Sequence, residues 1–409
     1  MANTLATPTW VTKETARGFM NELRFVANVD RQYDDQYEQN GAKVGYTVNV
    51  RLPQRFVATD GQALQLQNLN DQTTPISLTN QKNVAFGYSS AQATMELDMI
   101  RQRYVQPAAQ TLANASDVLA YEAVYRDVYS SVGVPGTTPS TTLTYLQAGV
   151  KLTDLAVGLS GRKGVIDPLA MATIANTSST LFNPSATISE NYKNGMFGRE
   201  QLGISEWYQD PNAPSYTTGS FTSASPTVNG ANQTGASLIT QAWASGATTL
   251  NKGDIFTIAN VFSVNPVSYT STGRLQQFVV TATTSDSAGA MTIPISPSII
   301  TSGAYQSVSA SPANGAAISV WGTAAAAALT ATVSKQSMVF TKDAFAFVMA
   351  DLIKPGAGAT ATTVRSKEFG IAIRMVEQYQ IATDQNPSRL DILIGAATVQ
   401  ARFAVRVVG

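Results

Sequence analysis

Residues 44–52 alternate strictly between apolar and polar side chains, which is the pattern of a strand with one buried face. A second alternating stretch covers residues 76–88, and the turn pair Asp60-Gly61 and a glutamine-rich stretch lie between the two. This order predicts one long hairpin over residues 44–89 with a polar tip. Because two strands alone are marginally stable in water, the hairpin must lie on its own subunit or on another copy.

Helical spacing of apolar residues appears in four other segments. Val11–Tyr37 is amphipathic, and it either docks on its own domain or reaches a neighbouring subunit. A longer helix is predicted from Met99 to Tyr129, and Pro107 marks the first turn of its main part because proline has no N–H to give to a helix interior. Shorter helices are predicted at Tyr145–Leu159 and Leu169–Phe182.

The composition changes sharply at Pro211, and serine, threonine, alanine and glycine dominate as far as Ser334. The charged residues of this stretch are Lys252, Asp254, Arg274 and Asp286. Short alternating runs recur between turn residues, at 254–258, 276–282, 291–295 and 317–321. Their aliphatic and aromatic side chains argue against disorder, so we predict a small all-β barrel or sandwich.

After Ser334 the sequence again has the patterns of both helices and strands. Ala344–Leu352 is predicted to be a helix, Gly370–Ile381 an alternating strand, Asp384–Ser388 a turn and Arg389–Ile394 a buried strand. Residues 400–407 alternate again, with Arg402 and Arg406 on the polar side. The chain is therefore predicted to be one α+β domain that is interrupted by an inserted β domain.

Composition excludes most enzyme chemistry, since the 409 residues contain no histidine and no cysteine. Histidine is the usual acid/base catalyst and metal ligand near neutral pH, and cysteine is the thiolate nucleophile. The 27 basic and 27 acidic residues sum to zero net charge, and charged residues make up only 13% of the chain. A sparsely charged, neutral surface favours self-association and does not favour tight nucleic-acid binding.

Motifs for catalysis or ligand binding do not emerge. Gly158–Gly164 lacks the spacing and the Lys-Ser/Thr pair of a phosphate loop and is predicted to be a helix C-cap and turn. The carboxylate pairs Asp34/Asp35 and Glu96/Asp98 are expected to be solvated surface groups. We therefore predict no catalytic residue, no metal and no cofactor. We expect neither a secretory signal nor a membrane-spanning helix, because no apolar run approaches the ~20 residues that a membrane helix needs.

An ordered set of segments resembles the major capsid proteins of tailed bacteriophages, specifically the coat type of short-tailed Salmonella phages. The segments are Lys43–Pro53, Phe56–Gly61, Gln81–Ser90, Arg103–Ala109, Leu250–Val261, Phe369–Arg374 and Arg389–Gly395. The resemblance implies the Hong Kong 97-type capsid fold with an inserted all-β domain. It assigns residues 1–43 to an N-terminal arm, 44–89 to an extended loop, 90–210 to the peripheral domain with its spine helix and part of the axial domain, 211–323 to the insertion and 324–409 to the remaining core.

The same resemblance implies a function. The chain would assemble into pentamers and hexamers of an icosahedral head around packaged double-stranded DNA, in the host bacterial cytoplasm. The implied partners are further copies, a portal and a separate scaffolding protein, with non-specific contact to DNA and no membrane. One departure concerns the insertion, because Thr217–Thr249 carries no charge where a relative has a charged loop that pairs with a neighbouring capsomer. The resemblance also implies a second way of holding subunits together, a covalent cross-link between a lysine near the tip of the extended loop and an asparagine. Lys43 and Lys82 are predicted at the base of the hairpin, so no such cross-link is expected.

Polar side chains that could mediate contacts between subunits are nominated on the arm, the hairpin, the spine region and the C-terminal strand. They are Arg17, Arg24, Arg51, Arg55, Gln65, Gln67, Arg101, Arg103, Arg402 and Arg406. The alternative for each is ordinary surface solvation. Two other functions stay open, a phage tail or decoration protein, which should lack the long helix, and a carboxylate-based glycoside hydrolase.

Overall fold

The structure is a computed structural model of the chain. It describes residues 13, 15–16, 18–19, 23–32, 47–58, 61, 66–67, 72–89, 104–179, 202–324, 327–356, 359–366, 371–383 and 385–409. Among these residues, no helix has the length and the apolar character that crossing a membrane requires.

Strands outnumber helices in the described part of the chain. The helices are α1 Gln106–Val124, α2 Thr142–Asp154 and α3 Pro168–Ser179. The first strands are β1 Asp30–Gln32, β2 Thr47–Arg51, β3 Thr73–Ser77, β4 Asn80–Ser89, β5 Ser131–Gly133, β6 Arg162–Ile166, β7 Glu206–Gln209 and β8 Ser215–Thr217. Next come β9 Thr227–Val228, β10 Gly235–Gln241, β11 Thr249–Leu250, β12 Ile255–Val264, β13 Ser271–Val280, β14 Thr284–Ser285, β15 Met291–Ile299 and β16 Ile318–Val320. The last strands are β17 Val333–Thr341, β18 Phe345–Ala350, β19 Thr360–Ser366, β20 Ile371–Glu377, β21 Gln385–Thr398 and β22 Ala404–Val408.

The chain divides into two compact units. The first unit comprises Met1–Arg51, Thr73–Ala123 and Phe345–Val399, and the second comprises Leu52–Gln72, Val124–Ala344 and Gln400–Gly409. In the first unit, a six-stranded sheet has the order β1-β18-β21-β20-β19, and β4 also pairs with β21. The predicted turn at Asp384–Ser388 is wrong in its later part, because β21 already begins at Gln385.

The predicted helix at Ala344–Leu352 is wrong, since β18 occupies this segment. Every residue of Phe345–Ala350 is buried, and the strand pairs with β1 on one side and β21 on the other. A strand in the middle of a sheet that is covered on both faces reads as a continuous apolar run. Periodicity alone does not separate such a run from a buried helix.

The hairpin that the structure describes is shorter than the predicted hairpin of residues 44–89. β2 pairs with β3, with Val48 opposite Ile76. The following strand β4 leaves the hairpin and pairs along its whole length with β21, from Asn80 opposite Ile394 to Ser89 opposite Gln385. The alternation within residues 76–88 was therefore correctly identified as strand, but it comes from two strands with different partners.

The N-terminal segment docks on its own unit wherever the structure describes it. Helical residues within 13–19 include the buried Phe19, but residues 26–28 form a 3-10 turn and 30–32 a strand. The predicted single helix over Val11–Tyr37 is thus wrong in its second half. Asp117 of α1, 1% exposed, accepts hydrogen bonds from the backbone N–H groups of Arg24 at 2.6 Å and Val26 at 2.9 Å. Phe25 stacks on Tyr121 of the same helix, with ring centres 4.4 Å apart.

The second unit contains a mixed sheet with the order β5-β22-β17-β6-β7, to which β8 adds by pairing with β17. Helix α2 ends at Asp154, five residues before the predicted Leu159. The fully buried guanidinium of Arg162 donates to the carbonyl oxygens of Gly149 at 3.0 Å and Val157 at 2.7 Å, near the C-terminal end of α2. A cation at this end satisfies free carbonyls and complements the helix dipole. The predicted helix C-cap within Gly158–Gly164 is wrong, because α2 is capped at Leu155, and the predicted turn ends at Gly161, where β6 follows.

Within residues 211–323, the predicted insertion, a second sheet of the same unit has the order β16-β12-β13-β15-β10-β9. The four predicted strand runs lie in β12, β13, β15 and β16, so these strand predictions are confirmed. β10 was missed, because its serines and threonines hide the alternation. The core between its strands is aromatic and aliphatic, with Phe256 and Phe278 stacked at 5.7 Å.

Candidate inter-subunit surfaces

The base of the hairpin is buried against its own unit. Val48, Val50 and Ile76 are at most 6% exposed and pack on residues of β18. The outward positions of β2, including Arg51, are exposed, because side chains alternate between the two faces of a strand. The hairpin is therefore anchored by one face and open on the other.

The tip of the hairpin exposes apolar side chains. Phe56 is 60% exposed and Leu66 is 87% exposed. The predicted contact residue Gln67 is exposed as well, but its side-chain amide pairs with the backbone of Val57, accepting from the N–H at 3.0 Å and donating to the carbonyl oxygen at 2.5 Å. Gln67 thus fastens the two limbs of the tip to each other. The apolar groups of the tip remain open to solvent.

Two of the nominated arginines lie in one environment within the second unit. Burial and then the charge of Arg55 lower the pKa of Arg402 to about 10. Burial raises the pKa of the Tyr129 hydroxyl to about 12, although the charges of both arginines act to lower it. Tyr269 donates a hydrogen bond to the carbonyl oxygen of Phe56 at 3.1 Å, which holds the tip at this place.

Arg406 contradicts the sequence-based nomination, since it is 0% exposed. Its Nη2 donates to the carbonyl oxygen of Gly253 at 2.6 Å, and its guanidinium lies 5.3 Å from the ring centre of Trp321. All five residues of β22 are buried, because the strand lies between β17 and β5 with both faces covered. Arg406 is therefore an internal residue, and burial lowers its pKa to about 10.

The other nominated residues divide into two groups. Arg24 is exposed, as expected for a surface contact. The positions of Arg17, Gln65, Arg101 and Arg103 lie outside the described residues.

The sequence analysis missed a buried polar cluster around Asp254. This carboxylate, 0% exposed, accepts hydrogen bonds from the Tyr216 hydroxyl at 2.9 Å and from the Trp321 indole at 2.8 Å. It also accepts the backbone N–H groups of Gly219 at 2.9 Å and Asn251 at 2.8 Å. Burial raises the pKa of Asp254, and these hydrogen bonds oppose the rise. An acid at the start of an apolar strand, in a stretch with few charges, was the available signal, because a buried carboxylate needs hydrogen-bond partners.

Helix α2 carries an exposed apolar stripe that was also missed. Leu143 is 62% exposed, Leu146 41% and Val150 39%, and the three residues share one face at helical spacing. The opposite face, including Tyr145 and Leu152, is fully buried. The available signal was the presence of Leu143, Leu146 and Val150 at helical spacing in addition to the residues of the buried face.

These surfaces define a class, namely structural proteins that assemble with copies of themselves. The chain carries an anchored hairpin with an apolar tip and an inserted β domain, and its surface is sparsely charged. The family model described as P22 coat protein, gene protein 5, matches residues 1–409, and the chain belongs to that family. It is therefore a major capsid protein that forms an icosahedral shell, located in the virion capsid. The predicted α+β capsid fold of Hong Kong 97 type with an insertion is confirmed.

Solved phage structures are similar at greater distance. A structure from Mycobacterium phage Che8 is 13% identical and covers 94% of this chain and 90% of that chain, with a TM-score of 0.43. The mature capsid of bacteriophage PhiM1 is 9% identical over 94% of this chain and 86% of that chain, with a TM-score of 0.39. The CUS-3 coat protein I-domain is 30% identical over 24% of this chain and 96% of that domain, with a TM-score of 0.19. No curated protein matches the chain, and the family match carries the assignment.

Proposed function

We propose that the subunits form pentamers and hexamers, and that the closed shell encloses packaged double-stranded DNA. One observation carries this proposal. The base of the hairpin is buried against residues of β18, whereas Phe56 and Leu66 of its tip are exposed. Large apolar side chains that are open to solvent are stabilised when another surface covers them. A contact between two different surfaces of identical subunits repeats from one subunit to the next and generates rings. The free energies of many weak contacts then add up in a shell.

The proposed contact residues are those nominated from the sequence, without Arg406. Arg24 and Arg51 are exposed, and Arg55 lies at the hairpin tip. The proposed domain division keeps the arm at 1–43, the peripheral and axial core at 90–210 and 324–409, and the insertion at 211–323, with the extended loop limited to the β2–β3 hairpin and its tip. Zero net charge suits a shell that must admit DNA without binding it tightly.

The proposed partners are a separate scaffolding protein and a portal, and the proposed place of assembly is the host bacterial cytoplasm. We also propose that the subunit catalyses no reaction. The support is compositional, since histidine and cysteine are absent from the sequence. The tail or decoration alternative is disfavoured by α1, a helix of 19 residues that such a protein was expected to lack.

Electron microscopy of purified subunits, with and without a scaffolding protein from a related phage, tests the proposal. Wild-type protein should give uniform closed shells with five-fold and six-fold capsomers. Phe56→Asp combined with Leu66→Asp should leave the circular dichroism and the melting temperature unchanged and abolish shell formation. Ile239→Asp is the matched control, because this apolar side chain is also exposed, at 48%, but lies on β10 of the insertion. Normal shells from the tip variant would refute the proposed role of the tip.

A further inference from the structure

Lys151 of α2 has a side-chain amine that is held by uncharged groups. Its Nζ donates to the carbonyl oxygen of Ser131 at 2.5 Å and to Oε1 of Gln277 at 2.5 Å. The backbone N–H of Ser131 donates to the same Oε1 at 2.9 Å, which fixes the orientation of the Gln277 amide. Lys151 makes no ion pair among the described residues, and the carboxylate of Asp154, on the same helix, pairs with Arg274.

These two acceptors match an uncharged amine. A neutral amine has two N–H groups and one lone pair, whereas an ammonium group has three N–H groups. Burial and then the charge of Arg274 lower the pKa of Lys151 to about 8, although Asp154 acts to raise it. At pH 8 about half of the Lys151 amines are therefore uncharged, roughly a hundred times the share of a lysine with the ordinary pKa of 10.5.

The amine borders a small pocket that is open to solvent. The pocket has a volume of about 40 Å³, and its lining residues include Lys151, Asp154, Arg274 and Gln277. A space of this size holds only a few water-sized groups. It therefore admits a small electrophile and is too small for a bulky acyl donor.

We propose that Lys151 is a carbamylation site, at which the uncharged amine adds to carbon dioxide and Arg274 binds the product. The lone pair of Nζ forms a bond to the carbon, one C=O π bond breaks with its electron pair moving to oxygen, and one N–H proton passes to water. The carbamate nitrogen keeps one N–H for the carbonyl oxygen of Ser131, and Oε1 of Gln277 still accepts the N–H of Ser131. Both acceptors thus keep a donor.

The charge of the product favours carbon dioxide over other small electrophiles. A carbamate is an anion, whereas an acylated lysine is neutral and gains no charge-assisted hydrogen bond from a guanidinium. Nη1 of Arg274 pairs with Asp154, so the other nitrogens of the guanidinium fork remain for a second anionic group in the same pocket. The negative charge of Asp154 opposes that group, so Arg274 and Asp154 should act on the carbamate in opposite directions.

Chemical trapping of the carbamate tests the proposal on the purified chain, and its result does not depend on whether the subunits form shells. The protein is equilibrated at pH 8 with bicarbonate enriched in the heavy carbon isotope, alkylated with triethyloxonium and digested for peptide mass spectrometry. A labelled ethyl carbamate is expected on Lys151. Lys252 is the matched control and should carry none, because its amine forms an ion pair with Asp127 at 3.2 Å. An unlabelled Lys151, or equal labelling of the two lysines, overturns the proposal.

Carbon NMR of the labelled protein measures how much carbamate forms without any trapping. Lys151→Arg should remove one carbamate signal and leave that of the α-amino group. Arg274→Gln should lower the Lys151 carbamate about threefold, the effect of losing one exposed ion pair, and Asp154→Asn should raise it. Circular dichroism of the variants should match that of the wild type. A carbamate signal that neither Arg274→Gln nor Asp154→Asn changes overturns the role of Arg274, and one that survives in Lys151→Arg at full strength overturns the site.

Discussion

Substitution of Asp254 by asparagine isolates the contribution of the buried polar cluster to the insertion. The change keeps the size and shape of the side chain, but it replaces one carboxylate oxygen with an amide NH₂ group. If the remaining oxygen keeps the bonds from Tyr216 and Trp321, the NH₂ group faces the backbone N–H groups of Gly219 and Asn251. The Asn251 N–H is then left without an acceptor, and the Gly219 N–H keeps only its longer hydrogen bond of 3.2 Å to the remaining oxygen.

The expected loss follows from these two donors. A buried hydrogen-bonding group without a partner costs about 1–3 kcal/mol, so one lost and one weakened hydrogen bond amount to about 2–4 kcal/mol. Removing the charge relieves part of the desolvation that raises the pKa of Asp254, which offsets some of this loss. We therefore expect Asp254→Asn to reduce the free energy of unfolding by about 3 kcal/mol.

Urea unfolding of the free subunit, followed by tryptophan fluorescence, measures this loss. Trp321, one of the four tryptophans of the chain, donates its indole N–H to Asp254, so part of the signal comes from the cluster itself. The control is Asp286→Asn, because Asp286 also accepts backbone N–H groups, those of Gly246 and Thr248, but in a loop open to water. Water replaces the lost acceptor there, and the loss should be clearly smaller. Equal losses for the two variants would refute the argument from burial.

Two further predictions concern other buried charges. Asp117→Asn should speed amide hydrogen exchange at Arg24 and Val26 and lower stability by about 2 kcal/mol, whereas Glu122→Gln on the exposed face of the same helix should change neither. Burial lowers the pKa of Lys151 to about 8, so the folded state binds fewer protons than the unfolded state between this value and the ordinary 10.5. The free energy of unfolding should therefore rise with pH above 8 by about 1 kcal/mol per unit relative to Lys151→Met, and a flat difference would contradict the shift.

Strands with one buried face and one exposed face are the elements that the sequence predicts best. Residues 47–51 show the burial pattern that their alternation predicts, with Val48 and Val50 inward and Arg51 outward. The strands of the insertion were recognised for the same reason, wherever apolar residues mark the inner face. Arg55 and Arg402 were nominated separately as surface residues, but the effect of the Arg55 charge on the pKa of Arg402 depends on a tertiary arrangement that no local pattern encodes.

Errors concentrate where both faces of an element are covered. β18 is buried at every position, so its apolar run has no period to distinguish a strand from a helix. In β22 the exposure of a residue was predicted wrongly. Arg406 takes a polar position in an alternating pattern, which is typical of a strand with one exposed face, but every residue of this strand is buried. Its guanidinium is accommodated by Gly253 and by the rings of Trp321 and Tyr216, all far from it in sequence. A charged side chain therefore indicates an exposed position only where the fold offers it no buried interaction partners. Such partners come from segments that are distant in the sequence.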